Sequence, residues 1–206
     1  GTRVFEGNGC HQPNDARNRR GLPVAECGFS SIVLVLDRAR RNVLPDRMDS
    51  DPLYLAIDQG THASRAVVLD RRGRVLASGA QDIGLTRPQA DWAEQDGDEM
   101  VASIFTAAAQ ALSALGERRR DIVVAGLASQ RASCVCWDRR DGRPLSPVFS
   151  WQDRRAHLWL RQFEAQGEEV HRKTGLFLSA HYGASKLRWA LDHLPAVREA
   201  QAAGTL

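Results

Sequence analysis

Between Leu53 and Asp70 one apolar run, Leu53-Tyr54-Leu55-Ala56-Ile57, ends in Asp58-Gln59-Gly60-Thr61, and a second resumes after Arg65. The pattern predicts a β-hairpin whose turn gathers a carboxylate, a hydroxyl and backbone N–H groups. Glycine lets the backbone approach a bulky anion, and successive N–H groups in a turn form an anion-binding concavity. Asp58 cannot hold a phosphate itself, because both are negative. It can hold a hydrated Mg²⁺ that neutralises the phosphate, since magnesium keeps several waters and takes only one or two carboxylates. Two more places could do chemistry. Gln130-Arg131 follows an apolar run, and Ser150-Trp151-Gln152-Asp153-Arg154-Arg155 sets an aromatic ring beside a polar cluster. Arg131 offers forked donors to an oxygen-rich substrate, and Trp151 offers a flat apolar wall. Each also has a plainer reading: a polar hairpin tip, a solvated arginine, a core tryptophan. Their company favours a site.

The elements that must position these residues are legible in outline. Strands are predicted over 53–58, 65–70 and 75–80, with Arg71-Arg72-Gly73-Arg74 as the second turn. A polar loop with Pro88 and Trp92 follows. Asp96 or Asp98 then caps a helix running to Leu115, with Met100, Val101, Ile104, Phe105, Ala108, Leu112 and Leu115 on one stripe and Gly116 as its stop. A buried strand over 122–129 and another over Ser133–Trp137 come next, then the turn Asp138–Gly142 and a short run at Val148–Trp151. Helices are expected near 153–166, 167–174, 184–193 and 195–203. This order predicts an α/β layer architecture, in which ligands collect where strands end.

Composition narrows the function classes. Residues 1–47 carry eight arginines against five acids, whereas residues 48–206 carry twenty bases and twenty acids. The folded part is therefore neutral and has no basic face for nucleic acid. Lys173 and Lys186 are the only lysines. Cys10, Cys27, Cys134 and Cys136 are too few and scattered for a disulfide framework, and the last two read as core thiols. No uninterrupted apolar run reaches membrane-spanning length, so neither a membrane nor a nucleic-acid partner is expected and the setting reads as cytoplasmic. Residues 1–47 lack periodicity and read as a non-native or disordered leader, with Met48 as the natural start. The end at Leu206, directly after a helix, reads as incomplete.

Taken together, the motifs from Tyr54 onward resemble the N-terminal domain of the FGGY carbohydrate kinases, with the glycerol kinases as the nearest branch. The hairpin is similar to the family's A-x-D-x-G-T-T-S-S-R loop. Ala90-Asp91-Trp92-Ala93-Glu94-Gln95-Asp96 is similar to G-W-V-E-x-D, Ala128-Ser129-Gln130-Arg131 to T-N-Q-R, and Ser150-Trp151-Gln152-Asp153-Arg154-Arg155 to V-W-Q-x-R-R. Thr174-Gly175-Leu176 and Lys186-Leu187-Arg188-Trp189 fall in the same order. The resemblance implies an actin-like ATPase, ribonuclease H-like domain: a mixed sheet with flanking helices, the first of two domains with ATP held between them. It implies that Asp58, Gly60, Thr61, His62 and Arg65 meet the ATP phosphates, with Asp58 holding Mg²⁺ through water. Arg131, Ala132, Trp151, His181 and Tyr182 fall at the positions that face the sugar or polyol. The chain departs from the family at His62 and Ala63, where hydroxyls are usual, and at Ala132, where glycerol kinases carry a glutamate. The resemblance also implies that the catalytic aspartate and the adenine site lie beyond Leu206, so this fragment alone should be inactive. An actin- or chaperone-like nucleotide module would share the hairpin but would have no use for Q-R or W-Q-x-R-R. Homo-oligomerisation stays open.

Overall fold

The computed structural model describes residues 32–35 and 51–206. A five-stranded mixed sheet has the order β1-β6-β2-β3-β4, formed by β1 (Ile32–Val35), β2 (Leu53–Gln59), β3 (Ala63–Leu69), β4 (Val75–Asp82) and β6 (Ile122–Ala128). β2, β3 and β4 form an antiparallel meander, while β6 returns parallel to β2. Local chemistry accounts for these strands: β-branched and aliphatic residues run between turns at Gly60 and Gly73, the latter at φ 75°, where only a residue without Cβ sits unstrained.

The helix α1 (Gly97–Leu115) crosses over β3 and β4. Asp96 caps it by accepting from the Glu99 N–H at 2.8 Å, and Gly116 closes it at φ 66°. Its buried residues are Ser103, Ala107 and Ala111, whereas Phe105 is 71% exposed and Val101 also faces out. The predicted stripe is thus turned toward smaller residues. The cause lies in β4: a Cβ on Gly79 would stand 2.3 Å from the Ala107 carbonyl oxygen. Backbone meets backbone there, and large side chains have no room. Leu53, Ala66, Val68, Ala77, Ala107 and Ala111 make the core, with Leu55, Ile57 and Leu115 around them. Ser64 and Ser103 join across it, Oγ to Oγ, at 2.8 Å. Counted through its 3₁₀ extension to Asp121, this helix is by length and composition apolar enough to span a membrane, yet it lies along the sheet.

Three other expectations need correction. β6 is not buried: none of its residues is fully covered, and Val123 is 64% exposed. Ser133–Trp137 is not a strand. Single bridges pair Cys134 with Phe149 and Trp137 with Pro144, and a proline has no N–H with which to extend the ladder. The helix expected from residue 153 starts only at His157, as α2 (His157–Leu160), and tightens into 3₁₀ geometry over Arg161–Gln166, because Asp153 and Arg155 turn inward. Residues 1–47 were expected to stay out of the fold. Within that segment Ile32–Val35 pairs antiparallel with β6; its other residues lie outside the described ones, and the leader reading stays a proposal.

The second lobe is built around a two-stranded ladder, β5 (Glu94–Gln95) with β7 (Val148–Phe149). α4 (Gly183–His193) and α5 (Pro195–Ala202) pack against it, and α3 (Gly167–Thr174) follows the 3₁₀ segment after α2, a set close to the helices expected. Cys136, Phe149, Ala190 and Val197 form its apolar centre, with Cys134 and Trp189 against them. The two thiols are core residues, as their spacing suggested.

Candidate functional site

The hairpin turn between β2 and β3 is closed by the Gly60 N–H, which donates to the Ala63 carbonyl at 3.0 Å. A Cβ on Gly60 would approach that oxygen to 3.1 Å, so the tight turn favours glycine. Beneath the turn stand three glutamines. Gln59 and Gln130 donate to the Gly60 carbonyl at 2.7 and 3.1 Å, and Gln95 donates to the Thr61 carbonyl at 2.8 Å. Gln130 also reaches the Gln95 amide oxygen at 3.1 Å and accepts from the Ser133 hydroxyl. The Ile83 N–H donates to the His62 carbonyl. The carbonyls of Gly60, Thr61 and His62 are therefore bound from one side, which fixes the turn. Asp58 and Arg65 are cross-strand partners in register; both are exposed, as is His62.

Of the side chains expected to face a substrate, Trp151 touches this turn directly and brings His181 and Tyr182 near it. The Trp151 indole N–H donates to the Thr61 hydroxyl at 2.9 Å, although 90 residues separate them. Its backbone N–H donates to the Ser133 hydroxyl at 3.0 Å. His181 meets the Trp151 ring edge-on at 5.9 Å, and Tyr182 meets His181 at 5.1 Å. Ala132 sits at φ 61°, the one non-glycine residue with positive φ among those described. For an alanine this left-handed conformation costs about 1–2 kcal/mol. Arg131 beside it is exposed. Thr61, Ala132, Trp151, His181 and Tyr182 thus form one neighbourhood, while Asp58, His62, Arg65 and Arg131 lie at exposed positions on the elements that carry it.

Some motif residues hold the site up instead of forming it. Arg155, its side chain 1% exposed, pairs with Asp153 at 2.8 Å and Glu94 at 2.6 Å. Its guanidinium lies over the rings of Trp92, Phe149 and Trp189 at 4.0, 4.2 and 4.6 Å from their centres. Cation–π attraction and two carboxylates together compensate the buried charge. Asp153 also accepts from the Ala93 N–H at 2.8 Å, so this ion cluster ties β5 to the turn that carries Trp151. Sequence reasoning missed Gln59, Gln95 and Ser133 altogether. Buried polar side chains in a strand end give a signal only once their partners are known.

Two shifted groups border the neighbourhood. Burial pulls Lys186 down to about 8, Asp153 opposing, and pushes the Cys134 thiol up to about 11. Among the described residues no cluster of three or more metal-ligating side chains occurs. A single exposed carboxylate, Asp58, beside a turn that favours glycine suits a largely hydrated magnesium ion and a phosphate.

The mixed sheet with its flanking helices agrees with the actin-like ATPase fold that the resemblance implied, and structural neighbours bear this out. Among solved structures, glycerol kinase of Plasmodium falciparum with ADP superimposes with a TM-score of 0.67 at 22% identity, over 75% of this chain and 31% of that one. Xylulose kinase of Rhodospirillum rubrum does so with a TM-score of 0.64 at 24% identity, over 73% and 31%. Residues 53–205 match the N-terminal domain of the FGGY family of carbohydrate kinases, and the chain belongs to that family. Glycerol kinase of Koribacter versatilis (strain Ellin345) is 39% identical over 157 residues, 75% of this chain and 32% of that protein. The chain spans about a third of the length of the curated relatives it matches. Family membership sets aside the chaperone-like alternative.

Proposed function

We propose that this chain is the N-terminal part of an ATP-dependent sugar or polyol kinase and carries both the phosphate turn and one wall of the substrate pocket. The observation that carries the proposal is the 2.9 Å hydrogen bond from the Trp151 indole to the Thr61 hydroxyl, which binds the two together. Once Thr61 accepts from Trp151, its own hydrogen is available for a phosphate oxygen. Asp58 would hold the magnesium ion through water, and the turn N–H groups of Thr61 and His62 together with Arg65 would meet the phosphates, with Gly60 allowing their close approach. Bound ATP would supply the phosphoryl group. A substrate hydroxyl oxygen would attack the γ-phosphorus as the bond to the β–γ bridging oxygen breaks, and the hydroxyl proton would pass to a general base. Such transfer depends on positioning and charge stabilisation.

Arg131 and the ring of Trp151 would hold the substrate, with His181 and Tyr182 beside that ring. Ala132 bears on which substrate. A carboxylate there would accept from polyol hydroxyls and a methyl group cannot; an unpaired hydroxyl costs about 1–3 kcal/mol, or about tenfold to a hundredfold in affinity. A polyol or ketose longer than glycerol therefore suits the space beside Ala132. A reducing, cytoplasmic setting belongs to the same proposal and is supported by the free thiols of Cys134 and Cys136.

The test is substrate-dependent ADP formation with glycerol, longer polyols and ketoses, run on the chain itself and on any longer gene product that contains it. The longer product should turn over and the chain alone should not. Failure of every sugar and polyol with the longer product would refute the kinase reading. Glycerol as the best substrate, unimproved by Ala132→Glu, would refute the preference for larger substrates.

A further inference from the structure

Lys186 is fully buried in α4. Its ammonium donates to two backbone carbonyls, those of Ala132 at 2.9 Å and His181 at 2.5 Å. Among the described residues it has no ion pair. The acid whose charge it feels, Asp153, is committed to Arg155. An ammonium held without its own counter-ion costs several kcal/mol to bury, and an apolar side chain of the same length would fill that space more cheaply. The placement of its two acceptors accounts for the charge. Ala132 belongs to the loop that follows β6, and His181 to the segment that opens α4. Ala132 is also the strained residue, and such a conformation persists only where its surroundings over-determine it.

We propose that Lys186 is a positioning residue for the sugar or polyol: its ammonium ties the Gln130–Ser133 loop to the His181–Tyr182 segment and so sets the gap between Ala132 and His181. This rests on the kinase reading above. The lysine touches no substrate atom. It fixes two carbonyls, and through them two residues that face the pocket. The phosphate turn has supports outside that loop, Gln59, Gln95 and the Ile83 N–H, so loosening the clamp should change sugar binding and leave the nucleotide side intact. The charged and titratable groups facing the ammonium are the mutually paired Asp153 and Arg155, the Cys134 thiol, and the His181 ring beside its own carbonyl. The thiol stays protonated to about 11. A lysine that titrates near 8 would loosen its grip as the pH rises past neutrality, because a neutral amine is a weaker donor than an ammonium.

Two measurements test this. In the 206-residue chain, the ¹³C carbonyl resonances of Ala132 and His181 should move together between pH 7 and pH 9.5 and stay still in Lys186→Met. In the active gene product containing the chain, Lys186→Met loses both carbonyl bonds and should raise KM for the best sugar or polyol about tenfold, the scale of one substrate hydrogen bond lost to misplacement. KM for ATP should hold within about twofold, and the wild-type sugar KM should rise over the same pH range while that of the variant stays flat. Should Lys186→Met fail to fold, the wild-type carbonyl titration and wild-type pH profile decide alone. Carbonyls that do not titrate together, or equal losses of sugar and ATP affinity, would overturn the clamp. A wild-type product that phosphorylates nothing would overturn the kinase reading and the substrate role with it, while the carbonyl titration still reports whether the tie exists.

Discussion

The sheet half packs Leu53, Ala66, Val68 and Ala77 against Ala107 and Ala111, with hardly a charge inside. The loop half, from Ser129 to Ala202 together with β5, has no strand longer than two residues, and beside its apolar centre it buries Arg155, Asp153 and Lys186. In the first, the proposed site residues Asp58, His62 and Arg65 stand exposed on a scaffold that does not need them. In the second, the charges that hold the loops are the same ones that place Trp151, Ala132 and His181. Function can therefore be removed from the sheet half without harm to the fold, whereas in the loop half stability and function should fall together.

The largest expected effect tests the loop half. Arg155→Leu leaves Asp153 and Glu94 buried without their partner and should cost about 3–5 kcal/mol, read by denaturant unfolding. A loss under about 1 kcal/mol would mean that the ion cluster is not the keystone described. Asp58→Ala tests the opposite half. In the active gene product turnover should drop about a hundredfold, near 3 kcal/mol of barrier, with sugar affinity and melting temperature almost unmoved. If the melting temperature falls by several degrees instead, the separation of site from scaffold fails. Gly79→Ala probes the sheet half's own weak point, since the added methyl meets the α1 backbone at 2.3 Å. Overpacking there should cost about 1–3 kcal/mol. Hydrogen exchange should localise that loss to α1, β3 and β4, and uniform loosening of the loop half would contradict the division. The smallest effect is Ala132→Gly. Relief of the left-handed strain, about 1–2 kcal/mol, is partly offset by glycine's extra unfolded-state entropy, leaving a gain of about 0.5–1 kcal/mol in melting experiments. A destabilised Ala132→Gly would show that the strain is not there to relieve.

The hairpin, the caps of α1 at Asp96 and Gly116, and the turns at Gly60 and Gly73 were legible in the residues because each is set by neighbours a few positions away. So was the order of Asp58, Gln130-Arg131 and Trp151 along the chain, which already outlined the candidate site. Periodicity misjudged the α1 stripe: it reports which residues are apolar, and the small surface under the helix was contributed by Gly79, on another element. It also misjudged Ser133–Trp137, whose alternation fits a strand although Pro144 opposite cannot extend the ladder.

By itself the sequence determined the local frame: where strands turn, where helices start and stop, and which polar residues cluster near strand ends. Only the tertiary structure decided the division of labour among those polar residues. Glu94 and Arg155 are 61 positions apart, and Thr61 and Trp151 are 90. No spacing rule tells a buried ion pair from a binding group across such separations, because the difference lies in desolvation and in what closes around the charge. Arg155 supports the candidate site, Trp151 lies in it and Lys186 spans two of its loops because packing buried the first and the last and left the second 39% exposed beside the hairpin turn.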